Sequence, residues 1–226
     1  MTLTSLKSFR APVRRALLWA LSDLTAASVR AVPADATDWF REPGRGAYAR
    51  LERERRFLAG PSAPTGTAGR LLEDRYLEGM RLRLRRVTRE GESVYKLTQK
   101  VRTVESDPTE VLITNTYLSV GEYARLSALP GLMVVKTRSV VATASHHFVV
   151  DEFQGRLQGL RLAEVEVQDL AEPLDPPPWL GAEVSGDDRF SGGQLAVTDE
   201  ARLTELLNDF SVRLDHLSAA VPRSSR

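Results

Sequence analysis

The chain has 226 residues, 42% hydrophobic and 27% charged, with a formal net charge of +1. That suits one substantial soluble domain with an extension, and it leaves no global basic footprint for nucleic acid. The absence of cysteine excludes disulfides, thiolate catalysis and Cys-ligated zinc, and no apolar run approaches the ~20 residues needed to span a bilayer.

Residues 1–31 read as a basic amphipathic helix, with Val13, Leu17, Ala20, Leu21 and Leu24 at helical spacing. Lys7, Arg10, Arg14, Arg15 and Arg30 against Asp23 give it a net charge of +4. Packing on its own domain, a homodimer or other partner contact, and a membrane-surface role are its three readings. A cleaved signal is not expected, because the apolar stretch 16–21 is short and Asp23 stands two residues beyond it. Pro33, Pro43, Gly44 and Gly46 mark a linker. The domain organisation read from this is an N-terminal helical extension and linker at 1–46, a main domain at 47–218 that includes a C-terminal helix, and a flexible tail at 219–226.

The first strand is predicted over about Tyr48–Leu58, followed by a loop at 60–69. The stretches 70–87 and 92–104 read as a β-hairpin turning around Glu90 and Gly91. Val111–Leu118 is a further strand. Ser119 and Glu122 form a capping box for a short helix to about Ala128, which Pro130 and Gly131 end. Strands are predicted at 132–141, 146–153 and 160–168. His146 and His147 are adjacent, so on a strand they point to opposite faces and do not make a metal pair. A Pro-rich segment leads to Trp179, read as a packing anchor. An amphipathic helix is predicted over Asp199–Leu217, capped by Thr198, with Leu203, Leu206, Leu207, Phe210, Leu214 and Leu217 as its buried stripe.

The informative pattern is charge at i and i+2, and in one segment at i and i+4, on the predicted strands. Glu52, Glu54 and Arg56 share one strand face, as do Arg81, Arg83 and Arg85; Lys96 and Lys100; Lys136 and Arg138; and Glu164 and Glu166. The Cα atoms of Glu52 and Glu54 lie about 6.5–7 Å apart on a strand, a spacing from which two carboxylates can converge on one hard cation. Solvated charges on a half-exposed sheet are the bland account of any one segment. Five such segments, with more positive than negative charge, point instead to a site that accepts a polyanion together with metal ions. Only four lysines stand among the 31 basic residues, and Lys96, Lys100 and Lys136 fall in these segments. The Arg- and Ala-rich usage suggests a bacterial, GC-rich genome.

Glu52, Glu54 and Arg56, followed by Phe57 and Leu58, resemble the Glu-x-Glu-x-Lys signature of the CYTH, or triphosphate tunnel metalloenzyme, superfamily. The resemblance continues in order through Tyr76 and Leu77, Arg83 and Arg85, Tyr95–Lys100, Thr116–Leu118, Lys136–Arg138, Val150–Phe153, Leu162–Glu166, Trp179–Val184 and Asp188–Ser191. It covers roughly residues 48–197. It implies a β-dominated α+β fold: an eight-stranded antiparallel β-barrel tunnel with flanking helices, charged residues inward, and N-terminal and C-terminal helices outside it. The charge alternation suggests that inversion, but periodicity alone does not say which face is inside.

The resemblance also implies hydrolysis of a triphosphate, inorganic triphosphate being favoured because no base-recognition element is evident. A non-catalytic polyphosphate or nucleotide binder is the alternative, as is another activity of the same tunnel, adenylate cyclase or thiamine triphosphatase. Glu52, Glu54, Arg56 and Lys100 match catalytic positions. Arg56, Arg83, Arg85, Lys100, Lys136, Arg138 and Arg189 match phosphate-binding positions. Glu52, Glu54, Asp151, Glu164 and Glu166 match metal-binding positions, and their oxygen-only donor set suits Mg²⁺ or Mn²⁺. The expected partner is a small-molecule triphosphate in the cytoplasm, with neither nucleic acid nor stable membrane insertion. Two departures stand out: the signature lysine is Arg56, which cannot serve as a base, and the strand at 109–118 offers only Glu110, with Asn115 at a position where the resemblance implies an acid.

Overall fold

The computed structural model describes residues 49–64, 69–102, 107–169 and 171–212. The predicted extension 1–46 and tail 219–226 lie outside them. The architecture is a closed antiparallel barrel of eight strands with one additional strand: β1 Ala49–Ala59, β2 Arg70–Leu77, β3 Leu82–Arg89, β4 Glu92–Arg102, β5 Glu110–Leu118, β6 Gly131–Ala142, β7 His147–Phe153, β8 Arg161–Glu166 and the short β9 Leu180–Glu183. Around the wall the order is β1, β5, β4, β3, β2, β6, β7, β8 and back to β1.

β1 closes the barrel by serving both edges. Glu52 pairs with Val111 of β5, and Arg56 pairs with Glu164 of β8. The Glu54 amide donates to the Thr109 carbonyl on one side, and the Arg53 carbonyl accepts from Val167 on the other. β9 adds to the last residues of β1, pairing Phe57 with Glu183. Closure leaves neither end of the eight-strand order unpaired, which removes the usual aggregation hazard of a sheet edge.

The stretch predicted as one strand over 70–87 is two strands with a tight turn between them. Leu77 accepts from the Met80 amide, and Gly79 has φ 69, a left-handed value that glycine adopts cheaply. Arg81 therefore lies in the turn and does not continue the row of Arg83 and Arg85. The β3–β4 turn sits where it was expected, with Glu90 and Gly91 both at positive φ, as the twist of a two-residue hairpin requires.

The first helix, α1 Val120–Ser127, opens on the expected capping box: Ser119 accepts from the Glu122 amide and its own amide donates to the Glu122 carboxylate. It contacts β3, β4 and β5. The C-terminal region differs from the single helix expected over 199–217. Two short helices occur, α2 Gly192–Val197 and α3 Glu200–Asn208. Asp199, not Thr198, caps α3, because the Asp199 side chain reaches the Arg202 amide while Thr198 ends α2. The described chain after Asn208 turns, with Ser211 at φ 59; Leu214 and Leu217 lie outside the described residues.

Two apolar clusters result. One includes the inward-facing Leu58, Val134, Phe153 and Leu162, covered by Phe190, Leu195, Leu203 and Leu207, so that α2 and α3 close one end of the barrel. Gly192 opens α2 against Tyr76: a Cβ there would lie 1.7 Å from the tyrosine hydroxyl, so only glycine allows this approach. The second cluster is on the outer wall, where Phe57, Phe148, Val150, Ala163 and Val165 are covered by Leu174 and Trp179 of the Pro-rich segment. Trp179 meets Phe148 edge-on with ring centroids 5.3 Å apart, the packing role read for it from sequence. No helix among the described residues is long and apolar enough to cross a membrane.

Leu203 is fully buried in the end-closing cluster. Leu203→Ala is expected to cost about 2–5 kcal/mol in urea unfolding, the range for truncating a buried leucine; a loss below about 1 kcal/mol would mean that the helices do not close the barrel end.

Candidate functional site

In an antiparallel pair, residues directly opposite one another share a face. Following the register round the wall places one row of each strand inside. β1 contributes Glu52, Glu54 and Arg56; β2, Arg70 and Asp74; β3, Arg83 and Arg85; β4, Lys96 and Lys100. β6 adds Lys136 and Arg138, β7 Asp151, and β8 Glu164 and Glu166. Arg50 and Arg102 face the same way at strand ends. Contacts between non-adjacent strands confirm the direction, since Lys100 of β4 reaches Glu52 and Glu54 of β1 with β5 lying between them. The row turns apolar toward the helix-covered end: Leu58 follows Arg56 on β1, and Phe153 follows Asp151 on β7.

The belt holds eight basic and six acidic side chains, counted without the strand-end arginines. The acids are deployed in an ordered way. Asp74, fully buried, accepts from Arg85 Nε and Nη2 at 2.5 and 2.7 Å, and Arg83 Nε lies 3.7 Å from it. Asp151, also buried, accepts from Lys136 Nζ and takes Arg138 in bidentate fashion at 2.7 and 2.6 Å. Glu164 bridges Arg56 and Arg138 at 2.8 and 3.0 Å. Glu54 lies 3.4 Å from Arg56.

Burial alone would raise the carboxyl pKa of Asp74, yet Arg85 and Arg83 outweigh it and hold the group well below the usual range. Burial is likewise outweighed at Glu164 by Arg56 and Arg138, and at Asp151 by Arg138 and Lys136. The Lys136 ammonium is lowered by burial, with Asp151 opposing that and Arg138 adding to it. These acids therefore stay ionised and hold the basic groups in place. Arg83 Nε is buried and has no hydrogen-bond acceptor among the described residues, a position that an anion's oxygen would satisfy.

Most of the residues proposed from sequence come together here. Arg189 does not: its guanidinium is exposed and held by Asp187 and Asp209, each at 2.7 Å. Asp151, expected as a metal ligand, is engaged by two basic side chains. Glu110 faces outward and binds Arg53, while Asn115 faces inward and accepts from Thr98 at 2.7 Å. Three inward residues escape the sequence reading of the site: Arg70, Asp74 and Lys96. Asp74 has Leu72 and Tyr76 two residues away, so the alternation is present, but neither position is charged, and Arg70 on the same face stands four residues before it. Lys96 belongs to a charged row yet matches no site position, and it lies inside.

A hard divalent cation can be tested against this donor set. Lys100 Nζ is 3.1 Å from Glu52 Oε2 and 3.1 Å from Glu54 Oε1, so two carboxylates already converge on one positive charge. Glu54 and Glu166 are directly opposed across β1 and β8. Oxygen donors on one wall suit Mg²⁺ or Mn²⁺. With Lys100, Arg56 and Arg138 engaging these acids, no three acidic or histidine side chains among the described residues are gathered tightly enough to bind a metal as they stand.

No family model matches the chain. It is 40% identical over 74 residues to an inorganic triphosphatase of Nitrosomonas europaea, a match covering 31% of this chain and 49% of that protein. It is 44% identical over 46 residues to an inorganic triphosphatase of Acetivibrio thermocellus, covering 20% of this chain and 30% of that one. The matches thus span about half of the first relative's length and less of the second's. Among solved structures, a crystal structure of an inorganic triphosphatase is 29% identical, covering 65% of this chain and 95% of that one, with a TM-score of 0.46.

Asp74→Asn should destabilise the fold at pH 7 by about 3–5 kcal/mol, since it leaves two buried guanidiniums without their counter-charge. Its folded pKa is depressed, so the stabilisation is present above the ordinary carboxylate value near 4 and is lost as pH falls below it. Urea unfolding between pH 7 and pH 3 should therefore show a shallower acid loss in the variant. Equal stability of the two proteins at pH 7 would show that Asp74 carries none of this load.

Proposed function

The chain is a member of the CYTH superfamily, and from that premise we propose that it hydrolyses a terminal phosphate from a triphosphate, with inorganic triphosphate as the favoured substrate. The observation that carries this reading is the inward belt with its excess of positive charge, in which buried acids hold arginines and lysines rigid toward the tunnel interior. A triphosphate brings several negative charges and many acceptor oxygens, and it offsets that excess.

Each residue has a distinct part in this reading. Arg83, Arg85, Lys136 and Arg138 bind phosphate oxygens by charge-assisted hydrogen bonds, with Arg83 Nε available as a donor. Asp74 and Asp151 keep those groups from collapsing onto other acids, so little reorganisation is needed as charge shifts in the transition state. Arg56 stays protonated and neutralises the phosphate nearest Glu164 and Glu54; it takes no part as a base. Glu52, Glu54, Glu164 and Glu166 would hold Mg²⁺ or Mn²⁺ once Lys100, Arg56 and Arg138 turn toward the phosphate, and the ion would supply positive charge there and acidify a water. Lys100 then gives its ammonium to a phosphate oxygen in place of Glu52 and Glu54. Water attacks the terminal phosphorus, the bond to the bridging oxygen breaks, and pyrophosphate and phosphate leave, with positioning and charge neutralisation supplying most of the acceleration.

A second reading, a binder of polyphosphate or nucleotide that does not cleave it, is favoured by one observation. The carboxylates that would hold a metal are engaged by Lys100, Arg56 and Arg138.

Phosphate release from inorganic triphosphate, ATP and thiamine triphosphate, each with Mg²⁺, Mn²⁺ or EDTA, separates the two. The expected outcome is turnover of inorganic triphosphate that EDTA abolishes, reduced about a hundredfold or more in Glu52→Gln and in Glu164→Gln. Tight triphosphate binding with no phosphate release under any metal condition would establish the binder instead.

A further inference from the structure

Lys96 and Arg70 are the two basic residues of the belt to which the sequence assigns no role. Lys96 faces Arg85 across β3 and Tyr117 across β5, and its Nζ lies 5.1 Å from the centre of the Tyr117 ring. β3 presents Arg83 and Arg85 to it, β2 presents Arg70 and Asp74, and β6 presents Lys136 and Arg138. Asp74 engages Arg85 and Arg83, and Asp151 engages Lys136 and Arg138. Burial pushes the Tyr117 hydroxyl up to about 12, so it remains neutral at working pH.

Within this cluster the arginines have no accessible neutral form, whereas an ammonium does. Burial, then repulsion by Arg85, Arg83, Arg70 and Arg138, lowers Lys96 to about 7. A bound polyphosphate reverses the sign of the local field, and with it the preference of Lys96 for its neutral form. We propose that triphosphate binding in this tunnel takes up a proton at Lys96, which then donates to a phosphate oxygen. The lysine completes the cradle only when the anion is there, and spares the empty barrel one permanent positive charge among its arginines.

The consequence for affinity has a definite sign. Below about pH 7 Lys96 is already charged and binding is at full strength. Above it, binding must draw a proton from solution, so affinity falls by up to about tenfold per pH unit until the pH reaches the lysine's value in the complex.

This inference rests on the triphosphate reading, and the test separates the two. The full chain is titrated with inorganic triphosphate in EDTA by calorimetry at pH 7 to 9, in two buffers of different ionisation enthalpy, as wild type, Lys96→Arg and Lys96→Met. Protons exchanged by the triphosphate itself are common to all three proteins, so the differences report on Lys96. At pH 8, wild type should take up as much as about 0.9 proton more than Lys96→Arg, since a group with a pKa near 7 is about nine-tenths neutral there before binding. Lys96→Arg should bind with the shallower pH dependence, and Lys96→Met should match its proton count while binding more weakly at pH 7. Circular dichroism and thermal unfolding check that each variant is folded, and either one suffices for the comparison. Equal proton counts in wild type and variant, with binding and turnover intact, would overturn the role of Lys96 alone. A wild type that neither binds nor cleaves triphosphate would overturn the functional reading and this inference with it.

Discussion

Eight basic side chains turned toward one another inside a barrel would repel strongly without the buried acids among them, and Asp74 and Asp151 carry much of that burden. Each sits near the middle of a strand, is almost wholly removed from solvent, and engages basic groups of neighbouring strands. A lone buried carboxylate would protonate; here the flanking guanidiniums make ionisation the favoured state. The acids are outnumbered, so the counter-charge within the belt is incomplete. The interior is stable enough to form and still favours a polyanion. Such buried pairs contribute more to arrangement than to net stability, because desolvation of both partners offsets much of their attraction.

That arrangement requires apolar packing elsewhere. A typical small barrel fills its interior with side chains such as Leu and Val, but this one has charge in that position. Its burial is displaced to two places. Phe57, Phe148, Val150 and Val165 pack outside the wall beneath Leu174 and Trp179, and Leu58, Phe153 and Leu162 pack at the inner end beneath α2 and α3. The outer face of β1 carries Arg53 and Arg55, which would be odd in a conventional packed strand. Their partners explain them: Arg53 binds Glu110, and Arg55 binds Glu183 of β9 through two hydrogen bonds at 3.0 and 2.6 Å. The short β9, which no periodicity signals in its four residues, thus helps fix the strand that carries Glu52, Glu54 and Arg56.

Much of the candidate site was legible from residues two apart. Glu52 with Glu54, Arg83 with Arg85, Lys136 with Arg138, and Glu164 with Glu166 all face inward as the alternation requires. Reading alternation only as repeated charge hides Asp74, whose neighbours at two residues' distance are Leu72 and Tyr76. It also carries Arg81 into the row, although Gly79 has already broken the strand. Arg189 illustrates a different limit. It lies beyond the barrel strands in the chain, and its direction depends on Asp187 beside it and on Asp209 twenty residues later, a pairing that no local pattern encodes.

The amino-acid sequence by itself determined which residues could share a face, where the Glu90–Gly91 hairpin turns, where α1 is capped, and that the shared faces carry an excess of positive charge. Those properties depend on dihedral preferences and on a two-residue repeat, both local. Which face looks inward was decided only by tertiary closure, because a strand's period is the same whether its charged row meets solvent or meets other strands. Closure through β1 gathered the rows of seven strands into one belt and set the bases beside their acids. It brought Lys96 among four arginines from three other strands, where burial and their repulsion lower its pKa to about 7.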